Sequence, residues 1–360
     1  MNSALIRRNS VEESFHTLRP DSDDHVRSLL AQLGALVVGE GLPQVLELRY
    51  FGSLDTFDAI RSGLKELPGS GEWPVSFLDG APSPSGGAAG IQLHTVRGAQ
   101  VETIRLGDAI VGRAFRDGGA RYCILGGVGP DDLSATSARQ AEATLLRMEA
   151  ALQAQGMELK NLVRTWFFLN DILGWYGQFN ETRTRTFRER GIFEGYVPAS
   201  TGIGGMNHRG AALLASALAT EPAARDVGVT EIPSPLQCPA GSYGSSFSRA
   251  AELTGPGFRR VIVSGTASID PQGRTTHVGS VTDQMALTVN VVEAILRSRG
   301  MGFRDVSRGN AYFKRARHAV AFGPTLQHFG VPSERLLIST NTVCREDLLF
   351  EMEVEAVLTR

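Results

Sequence analysis

The stretches RYCILGGVG at 121–129 and RRVIVSGTA at 259–267 each join apolar, β-branched residues to glycine, and they open an internal repeat. Both patterns are typical of buried β-strands. An amphipathic helical pattern follows in each copy, ARQAEATLLRMEAALQAQGM in the first and TDQMALTVNVVEAILRSRGM in the second. These helices are expected to end at Gly156 and Gly300, where glycine favours a left-handed C-cap. Because pattern and punctuation repeat together, the sequence predicts two copies of one unit.

The copies differ in length after their second strand. Arg164 and Arg308 occupy the same step of the repeat, but the distance from Arg164 to Pro198 is about ten residues longer than the distance from Arg308 to Pro332. The extra residues fall within DILGWYGQFNETRTRTFRERGIFEG at 171–195. Function is often carried by segments added to a shared scaffold. We therefore expect this insertion to contribute to a functional site.

The repeat unit predicts an α+β fold in which helices cover one face of a mixed β-sheet. Residues 1–115 have a less regular pattern, and the Pro- and Ala-rich run at 221–235 separates the two copies. We predict an N-terminal domain at 1–220, with an irregular N-terminal extension at 1–115. A C-terminal domain is predicted at 221–360.

Composition excludes several classes of protein. The 360 residues are 42% hydrophobic and 21% charged with a net charge of −2, which disfavours a disordered chain and a nucleic-acid partner. No apolar run is long enough for a membrane span, and the polar first residues do not resemble a signal peptide, so a cytoplasmic protein is expected. Three scattered cysteines and seven histidines form no recognised metal or nucleotide motif, so neither metal nor cofactor is expected.

Longer strings carry a resemblance to known families. SGTASID, VPSERLLIST and EMEVEAV resemble the reactive-intermediate deaminase fold, which is chorismate-mutase-like and occurs in small trimeric proteins that hydrolyse imines and enamines. VRTWFFLNDILGWYGQFNETR, VPASTGIGG, SYGSSFSRA and VCREDLLFEME together resemble the chorismatases, a tandem two-domain family that processes chorismate. The resemblance is good over roughly residues 120–360 and loose over the first hundred. It implies two tandem deaminase-like domains.

The resemblance implies chemistry without metal or organic cofactor. Protonation of the terminal methylene of the enolpyruvyl ether of chorismate makes an oxocarbenium ion, and pyruvate is then released. The family acid falls on Glu351. Cys344 favours the branch that yields 3-hydroxybenzoate, because a cysteine in this region is implied to steer the intermediate toward the aromatic product. A small buried hydrophobe is the ordinary interpretation of such a cysteine.

The residues around Glu351 allow a separate interpretation. In FEMEVEAV, Glu351, Glu353 and Glu355 alternate with apolar residues and share one face of a strand. That face is either solvated or packed against another copy. If it is packed, the three carboxylates are expected to raise one another's pKa, which suits a general acid. Glu353 is the second candidate, because it matches the acid of the single-domain deaminases.

Arginines are the expected partners of a dianionic substrate, because the guanidinium fork binds carboxylates in two places. Arg183, seven residues after Tyr176, matches a substrate-binding pair of the family, although Arg183 could also lie on the solvated side of a helix. Arg335 matches the carboxylate-binding arginine of the single-domain proteins, and Thr201 is the expected counterpart of Arg335 in the first copy.

Three further positions are candidates for ligand contact. Tyr243 is flanked by Gly241, where exposed backbone N–H groups could approach an anion, although an ordinary turn fits equally well. Gly202 lies in the glycine-rich STGIGG run.

Several functions remain open from sequence alone. The first is a chorismatase giving 3-hydroxybenzoate, and its sibling is the hydrolytic chorismatase giving 3,4-dihydroxycyclohexa-1,5-diene-1-carboxylate. An imine or enamine deaminase using Arg335 and Glu353 and a non-catalytic metabolite-binding protein are the others. The expected assembly is a monomer or a trimer-like arrangement of copies.

Overall fold

The computed structural model describes residues 3–8, 10–39, 41–83 and 85–359, except for the side chains at positions 3, 4 and 243. The strands in these residues form three mixed sheets of five, six and six strands. Helices cover one face of each sheet, in agreement with the predicted α+β class.

The first sheet lies in the N-terminal third of the chain. Its strands, in chain order, are β1 (Ser3–Arg8), β2 (Val11–Leu18), β3 (Gln44–Gly52), β4 (Val75–Asp79) and β5 (Ala88–Arg97). Two helices belong to it, α1 (His25–Val37) and α2 (Phe57–Lys65). The strands are ordered β1-β2-β5-β3-β4, and only the β3–β4 pair is parallel.

The second sheet contains the first copy of the sequence repeat. Its strands are β6 (Val101–Leu106), β7 (Ala109–Arg116), β8 (Ala120–Val128), β9 (Leu162–Leu169), β10 (Ala199–Gly204) and β11 (Leu213–Pro222). Its helices are α3 (Ser137–Gln153) and α4 (Ile172–Glu189). The order is β10-β9-β11-β8-β7-β6, with β9 and β10 parallel.

The third sheet contains the second copy. Its strands are β12 (Gly228–Ile232), β13 (Ala250–Gly255), β14 (Phe258–Ala267), β15 (Val306–Phe313), β16 (Leu336–Thr340) and β17 (Phe350–Thr359). Its helices are α5 (Val281–Arg297) and α6 (Phe322–Phe329). The order is β12-β13-β14-β17-β15-β16, with β15 and β16 parallel.

The repeat predicted from sequence is present, and so is a third copy. Gly156 and Gly300 have φ of +69° and +70°, as expected for left-handed caps after α3 and α5. Counted from β1, β7 or β13, each unit runs strand, strand, helix, strand, helix, strand, strand, with its strands ordered first, second, fifth, third, fourth. Strands β6 and β12 each extend one edge.

The segment 1–115, for which the sequence predicts an irregular extension, therefore contains a complete unit over residues 3–97. Strand pairing changes from one sheet to the next between β5 and β6 and again between β11 and β12, the second change lying next to the predicted boundary at 220/221. The first unit was not predicted because it shares the topology of the other two units but none of their sequence motifs. Suitably spaced apolar residues are enough to form this topology.

The three sheets pack together through the faces that their helices leave uncovered. One apolar cluster joins all three units and includes Phe15, Ile124 and Ile262. A second cluster, with Phe51, Phe168 and Tyr312, does the same. The inward faces of the sheets are therefore buried, and polar side chains on them need internal partners.

The insertion in the second unit lengthens one helix. α4 has 18 residues, whereas α6, at the equivalent step of the third unit, has 8. The longer helix carries both members of the predicted Tyr176 and Arg183 pair.

Candidate functional site

A cavity of about 210 Å³ lies between the second and third units. The second unit contributes Tyr176, Asn180, Arg183, Ser200 and Gly202, from α4 and β10. The third unit contributes residues from β14, β17 and the loops beside them, among them Phe247, Arg249, Gly265, Cys344, Arg345 and Glu351. A single water needs only about 10–15 Å³, so this space is large enough for an organic ligand.

A β-bulge in β14 shapes the floor of the cavity. The register of β14 against β17 shifts between Val263 and Thr266, and the Gly265 N–H released there donates to Thr201 Oγ1 at 2.9 Å. A Cβ atom on Gly265 would stand 2.1 Å from Glu351 Oε1. A side chain at this bulge would therefore displace the Glu351 carboxyl group, so glycine leaves the carboxyl group its place beside the cavity.

Glu351 is the carboxyl group of the cavity. Its side chain is buried, with 4% of the residue exposed. Burial raises the pKa of Glu351 to about 8, and the nearby charge of Glu353 adds to the rise, while Arg164 and Arg249 partly oppose it. Burial disfavours the ionised form of a carboxyl group. Glu351 therefore holds a proton at neutral pH.

Glu353, two residues further along β17, is held by hydrogen bonds from five side chains. Its carboxylate accepts hydrogen bonds from Tyr312 OH at 2.9 Å, from Asn310 Nδ2 at 2.6 Å and from Trp166 Nε1 at 3.0 Å. Two more donors, Arg164 Nη2 and Thr201 Oγ1, also reach it.

Little space adjoins Glu353. Glu353 borders a void of about 10 Å³, which is room for one water, together with Arg49, Arg164 and Arg308. Glu353 does not line the larger cavity.

Glu355 lies at the far end of the same face and has the opposite electrostatic character. It pairs with Arg260 and Arg308, with Arg308 Nη2 at 2.8 Å from its Oε1. Although burial alone would raise its pKa, these two guanidinium groups hold the pKa of Glu355 well below its usual range. Glu355 is therefore an ionised structural residue.

The two interpretations of this strand face can now be decided. All three glutamates are only 4% exposed, so the face is packed and not solvated. The expected mutual rise in pKa is found for Glu351 but is wrong for Glu355, because buried arginines outweigh the effect of burial there.

Arg183 is buried despite lying on a helix whose other arginines are exposed. It is 1% exposed, whereas the Arg185 side chain is 51% exposed. Its Nη2 donates to Asn180 Oδ1 at 2.7 Å, and its guanidinium carbon lies 5.1 Å from the centroid of the Phe179 ring. The alternative of a solvated helix face is therefore wrong for Arg183, which lines the cavity with its charge in a water-poor setting.

Two cavity arginines were not predicted from the sequence. Arg249 is buried, and its Nε donates to Cys238 O at 2.9 Å. Arg345 Nη1 donates to Gly273 O at 2.9 Å. Both lie inside strings that carried the family resemblance, SYGSSFSRA and VCREDLLFEME, so their positions were available but no local pattern marked them as binding residues.

Tyr176 and Gly202 are neighbours in the wall of the cavity. The Tyr176 ring stacks on Phe179 with centroids 6.0 Å apart. A Cβ atom on Gly202 would lie 3.3 Å from the Tyr176 ring, so glycine there leaves room for the tyrosine. Both residues line the cavity, as the sequence predicts for a ligand-binding site.

Cys344 also lines the cavity, beside Glu351. Burial raises the pKa of the Cys344 thiol to about 12, and the Glu351 carboxyl adds to the rise. The sulfur is therefore a neutral thiol at physiological pH, which makes it a poor nucleophile.

Two predicted residues, Arg335 and Gly241, do not line the cavity. Arg335 is directed elsewhere, and its Nη1 donates to Val306 O. Gly241 is exposed in a short 3₁₀ helix and does not line the cavity either. The Tyr243 side chain lies outside the described part of the structure.

The counterpart of Arg335 also differs from the expectation. In the parallel strand pairs, Ser200 stands opposite Thr165 and Leu336 stands opposite Gly309. Arg335 therefore corresponds to Ala199, and the predicted match with Thr201 is wrong. The prediction counted three residues from Pro198 and from Pro332. This count fails because the turns that follow the two prolines differ in length.

Within the described ranges, no group of three or more His, Cys, Asp or Glu side chains is placed to hold a metal ion. No helix found there is long and apolar enough to cross a membrane.

Comparisons with known proteins agree with this architecture. No family model matches the chain. A curated 3-hydroxybenzoate synthase of Streptomyces hygroscopicus is 26% identical over 272 residues, which cover 67% of this chain and 75% of that protein. The crystal structure of a chorismatase at 1.08 Å resolution superposes with a TM-score of 0.67 at 19% identity, covering 98% of this chain and 99% of the other. The chain therefore has the fold of the chorismatase structure over almost its whole length, and its sequence is similar to that of the 3-hydroxybenzoate synthase over two thirds of it.

Proposed function

We propose that this protein is a chorismatase in which Glu351 protonates the enolpyruvyl ether of chorismate and pyruvate is released. The observation that carries the proposal is a buried, protonated carboxyl group in a cavity that is also lined by arginines. A general acid with a pKa near the working pH is well matched to this proton transfer. The relationship to a 3-hydroxybenzoate synthase supports the same substrate.

The acid step follows from the chemistry of an enol ether. The π electrons of the terminal methylene take the proton of Glu351, which leaves a methyl group, an oxocarbenium ion and the Glu351 carboxylate. Addition of water to this cation gives a hemiketal that collapses to pyruvate and a dihydroxycyclohexadiene carboxylate. The aromatic route forms pyruvate and 3-hydroxybenzoate with no net consumption of water.

The arginines suit the charge of the substrate. Chorismate carries two carboxylates, and Arg183, Arg249 and Arg345 all line the cavity. Guanidinium groups bind carboxylates through paired, charge-assisted hydrogen bonds. Because the neutral form of Glu351 adds no negative charge, the site favours a dianion over a neutral ligand.

We assign the protein to the branch that forms 3-hydroxybenzoate. Two observations support this choice: the curated relative is a 3-hydroxybenzoate synthase, and Cys344 is a neutral thiol in the cavity next to the acid. Substitution of Cys344 by Ala is expected to shift the product from 3-hydroxybenzoate toward the dihydroxycyclohexadiene acid, at retained pyruvate release. Unchanged product composition in this variant would remove the support that Cys344 gives to the branch.

Imine hydrolysis by Arg335 and Glu353 is less well supported. Glu353 is hydrogen-bonded by five side chains and borders only a void of about 10 Å³. Arg335 does not line the cavity. Because chorismate is an intracellular metabolite, we expect the protein to act in the cytoplasm.

The direct test is to incubate the purified protein with chorismate, without added metal or cofactor, and to resolve the products by liquid chromatography and mass spectrometry while pyruvate is measured. We expect equal amounts of pyruvate and 3-hydroxybenzoate. A dihydroxycyclohexadiene acid would place the protein in the hydrolytic branch and overturn the product assignment. Unchanged chorismate would overturn the enzyme assignment, and binding of intact chorismate would then indicate a metabolite-binding protein.

A further inference from the structure

The carboxylate of Glu353 stands directly behind the acid without entering the cavity. Glu351 and Glu353 are two residues apart on β17, so their side chains leave the same face about 7 Å from each other along the strand. β15 runs alongside, with Tyr312 opposite Glu351 and Asn310 opposite Glu353. The two carboxyl groups are therefore buried neighbours on one strand face.

The contacts of Glu353 are those of a carboxylate paired with a cation, Arg164. Arg164, Trp166 and Asn310 reach it through N–H groups, which can only donate. Thr201 Oγ1 already accepts from Gly265 N–H and from Arg164 Nη2, so the hydroxyl proton of Thr201 points to Glu353. Four donors therefore direct their protons at the Glu353 carboxylate, and Arg164 supplies its counter-charge.

The donors come from two units of the fold. Arg164, Trp166 and Thr201 belong to β9 and β10 of the second unit. Asn310 and Tyr312 belong to β15 of the third unit. The anion is thereby fixed where the two sheets meet, beside the cavity that they enclose.

The other ionisable groups near Glu351 have no such negative charge. From the elements packed around the cavity and behind it they are Arg164 on β9, Tyr176 and Arg183 on α4, Arg249 before β13, Tyr312 on β15, and Cys344 and Arg345 before β17. Four of these are cations, which favour loss of the Glu351 proton. Among the described residues that act on Glu351, Glu353 is the anion that opposes them.

We infer that Glu353 is a positioning residue whose fixed negative charge keeps the proton on Glu351 in a cavity otherwise lined by arginines. This inference rests on the proposed function, because it assigns Glu353 a role in the same acid step.

The test is the pH dependence of kcat/KM for pyruvate release, which reports ionisations of the free enzyme. Glu353→Gln keeps the size of the side chain and removes its charge. We expect the alkaline limb of the profile to move to lower pH by about 1–2 units, because loss of one nearby charge typically changes a pKa by that amount. At pH 5 the variant should retain activity within several-fold of the wild type.

Tyr312→Phe is the matched control. It removes one donor from Glu353 and leaves every charge in place, so the alkaline limb should stay where it is in the wild type. A shift of similar size in Tyr312→Phe would show that loosened packing, and not charge, moves the profile. An unmoved limb in a folded Glu353→Gln protein would also overturn the inference.

Arg164 becomes a buried, unpaired cation in Glu353→Gln, so this variant could fail to fold. The double variant Arg164→Met/Glu353→Gln removes both charges together. We expect a smaller shift to lower pH in this protein, because the effect of Glu353 on Glu351 exceeds that of Arg164. An unmoved or raised limb in the double variant would contradict the inference.

A readout without catalysis separates this inference from the proposed function. Infrared difference spectra of wild type against Glu351→Gln report the protonated carboxyl band of Glu351 as a function of pH. If the wild type released no pyruvate, the proposed function would fail while this band could still be followed. The inference itself would fail if the band titrated at the same pH with and without the Glu353 charge.

Discussion

The two ends of the inward face of β17 carry the same residue with opposite properties. Glu351 and Glu355 are equally buried, at 4% exposure, and point to the same side of the sheet. Glu351 faces a cavity and holds its proton, whereas Glu355 is clamped by Arg260 and Arg308 and stays ionised. Burial therefore raises the pKa of a carboxyl group, and lets it keep its proton at neutral pH, only where no cation is close enough to bind it directly.

Removal of the acid should have the largest effect. Glu351→Gln keeps the shape of the side chain but cannot donate a proton to the methylene. We expect pyruvate release from chorismate to fall by about 10²–10⁴-fold, the usual contribution of a general acid. Initial rates from a coupled pyruvate assay, with circular dichroism to confirm the fold, measure the effect. Retained pyruvate release would show that another group is the acid.

The same substitution at the other end should disturb folding and not chemistry. Glu355→Gln removes the closest counter-charge of the buried Arg260 and Arg308 and leaves Arg260 with Glu13 at 4.0 Å, and breaking such buried pairs typically costs about 3–5 kcal/mol. Urea unfolding followed by fluorescence measures the loss. At a temperature where the variant is folded, its pyruvate release should stay near that of the wild type. A loss of activity in the fully folded variant would erase the distinction between the two ends.

The two carboxyl groups should also give stability opposite dependences on pH. The pKa of Glu351 is raised from 4.5 to about 8 on folding, so between these values the unfolded chain has lost the proton that the folded protein keeps. Stability from this group falls as pH rises through that window. Glu355, with its pKa lowered, contributes stability above pH 4.5 that is lost as pH falls.

Because the Glu351 contribution to stability falls as pH rises, Glu351→Gln is expected to be more stable than the wild type at pH 8. The difference in the free energy of unfolding should shrink toward pH 4.5. Urea unfolding of both proteins across this pH range gives the difference directly. A difference that stayed constant with pH would mean that Glu351 ionises in the folded protein as it does in the unfolded chain.

A smaller effect is expected from the cationic side of the cavity. Arg183→Lys keeps the positive charge but loses the planar fork and the contact with Phe179, so KM for chorismate should rise about tenfold with a smaller change in kcat. Arg185→Lys is the control, because Arg185 lies on the same helix with its side chain half exposed. An equal rise in KM for both variants would indicate a general electrostatic effect and not direct binding.

The internal repeat could be predicted from the sequence because both copies have the same apolar spacing and a glycine cap, Gly156 in one and Gly300 in the other. The unit at residues 3–97 was not, because strand order is set by packing and leaves no motif in the sequence. The alternation of Glu351, Glu353 and Glu355 correctly placed them on one face. Their different charge states depend on Arg164, Arg260 and Arg308, which strand pairing and sheet packing bring to them.

Residues of the site were predictable only where a family string marked them. Tyr176, Arg183, Gly202, Cys344 and Glu351 lie together in the cavity, as expected for one site. Arg249 and Arg345 were missed, because an arginine in a loop has no periodic pattern that separates a binding residue from a solvated one.

The central claim is that Glu351 carries a proton in the folded protein at neutral pH. Carbon-13 NMR of protein labelled at the glutamate side-chain carboxyl carbons, compared between wild type and Glu351→Gln, identifies the resonance of this group and follows it with pH. We predict a titration near pH 8. A titration between about pH 4 and 5, the ordinary range of a glutamate, would contradict the account.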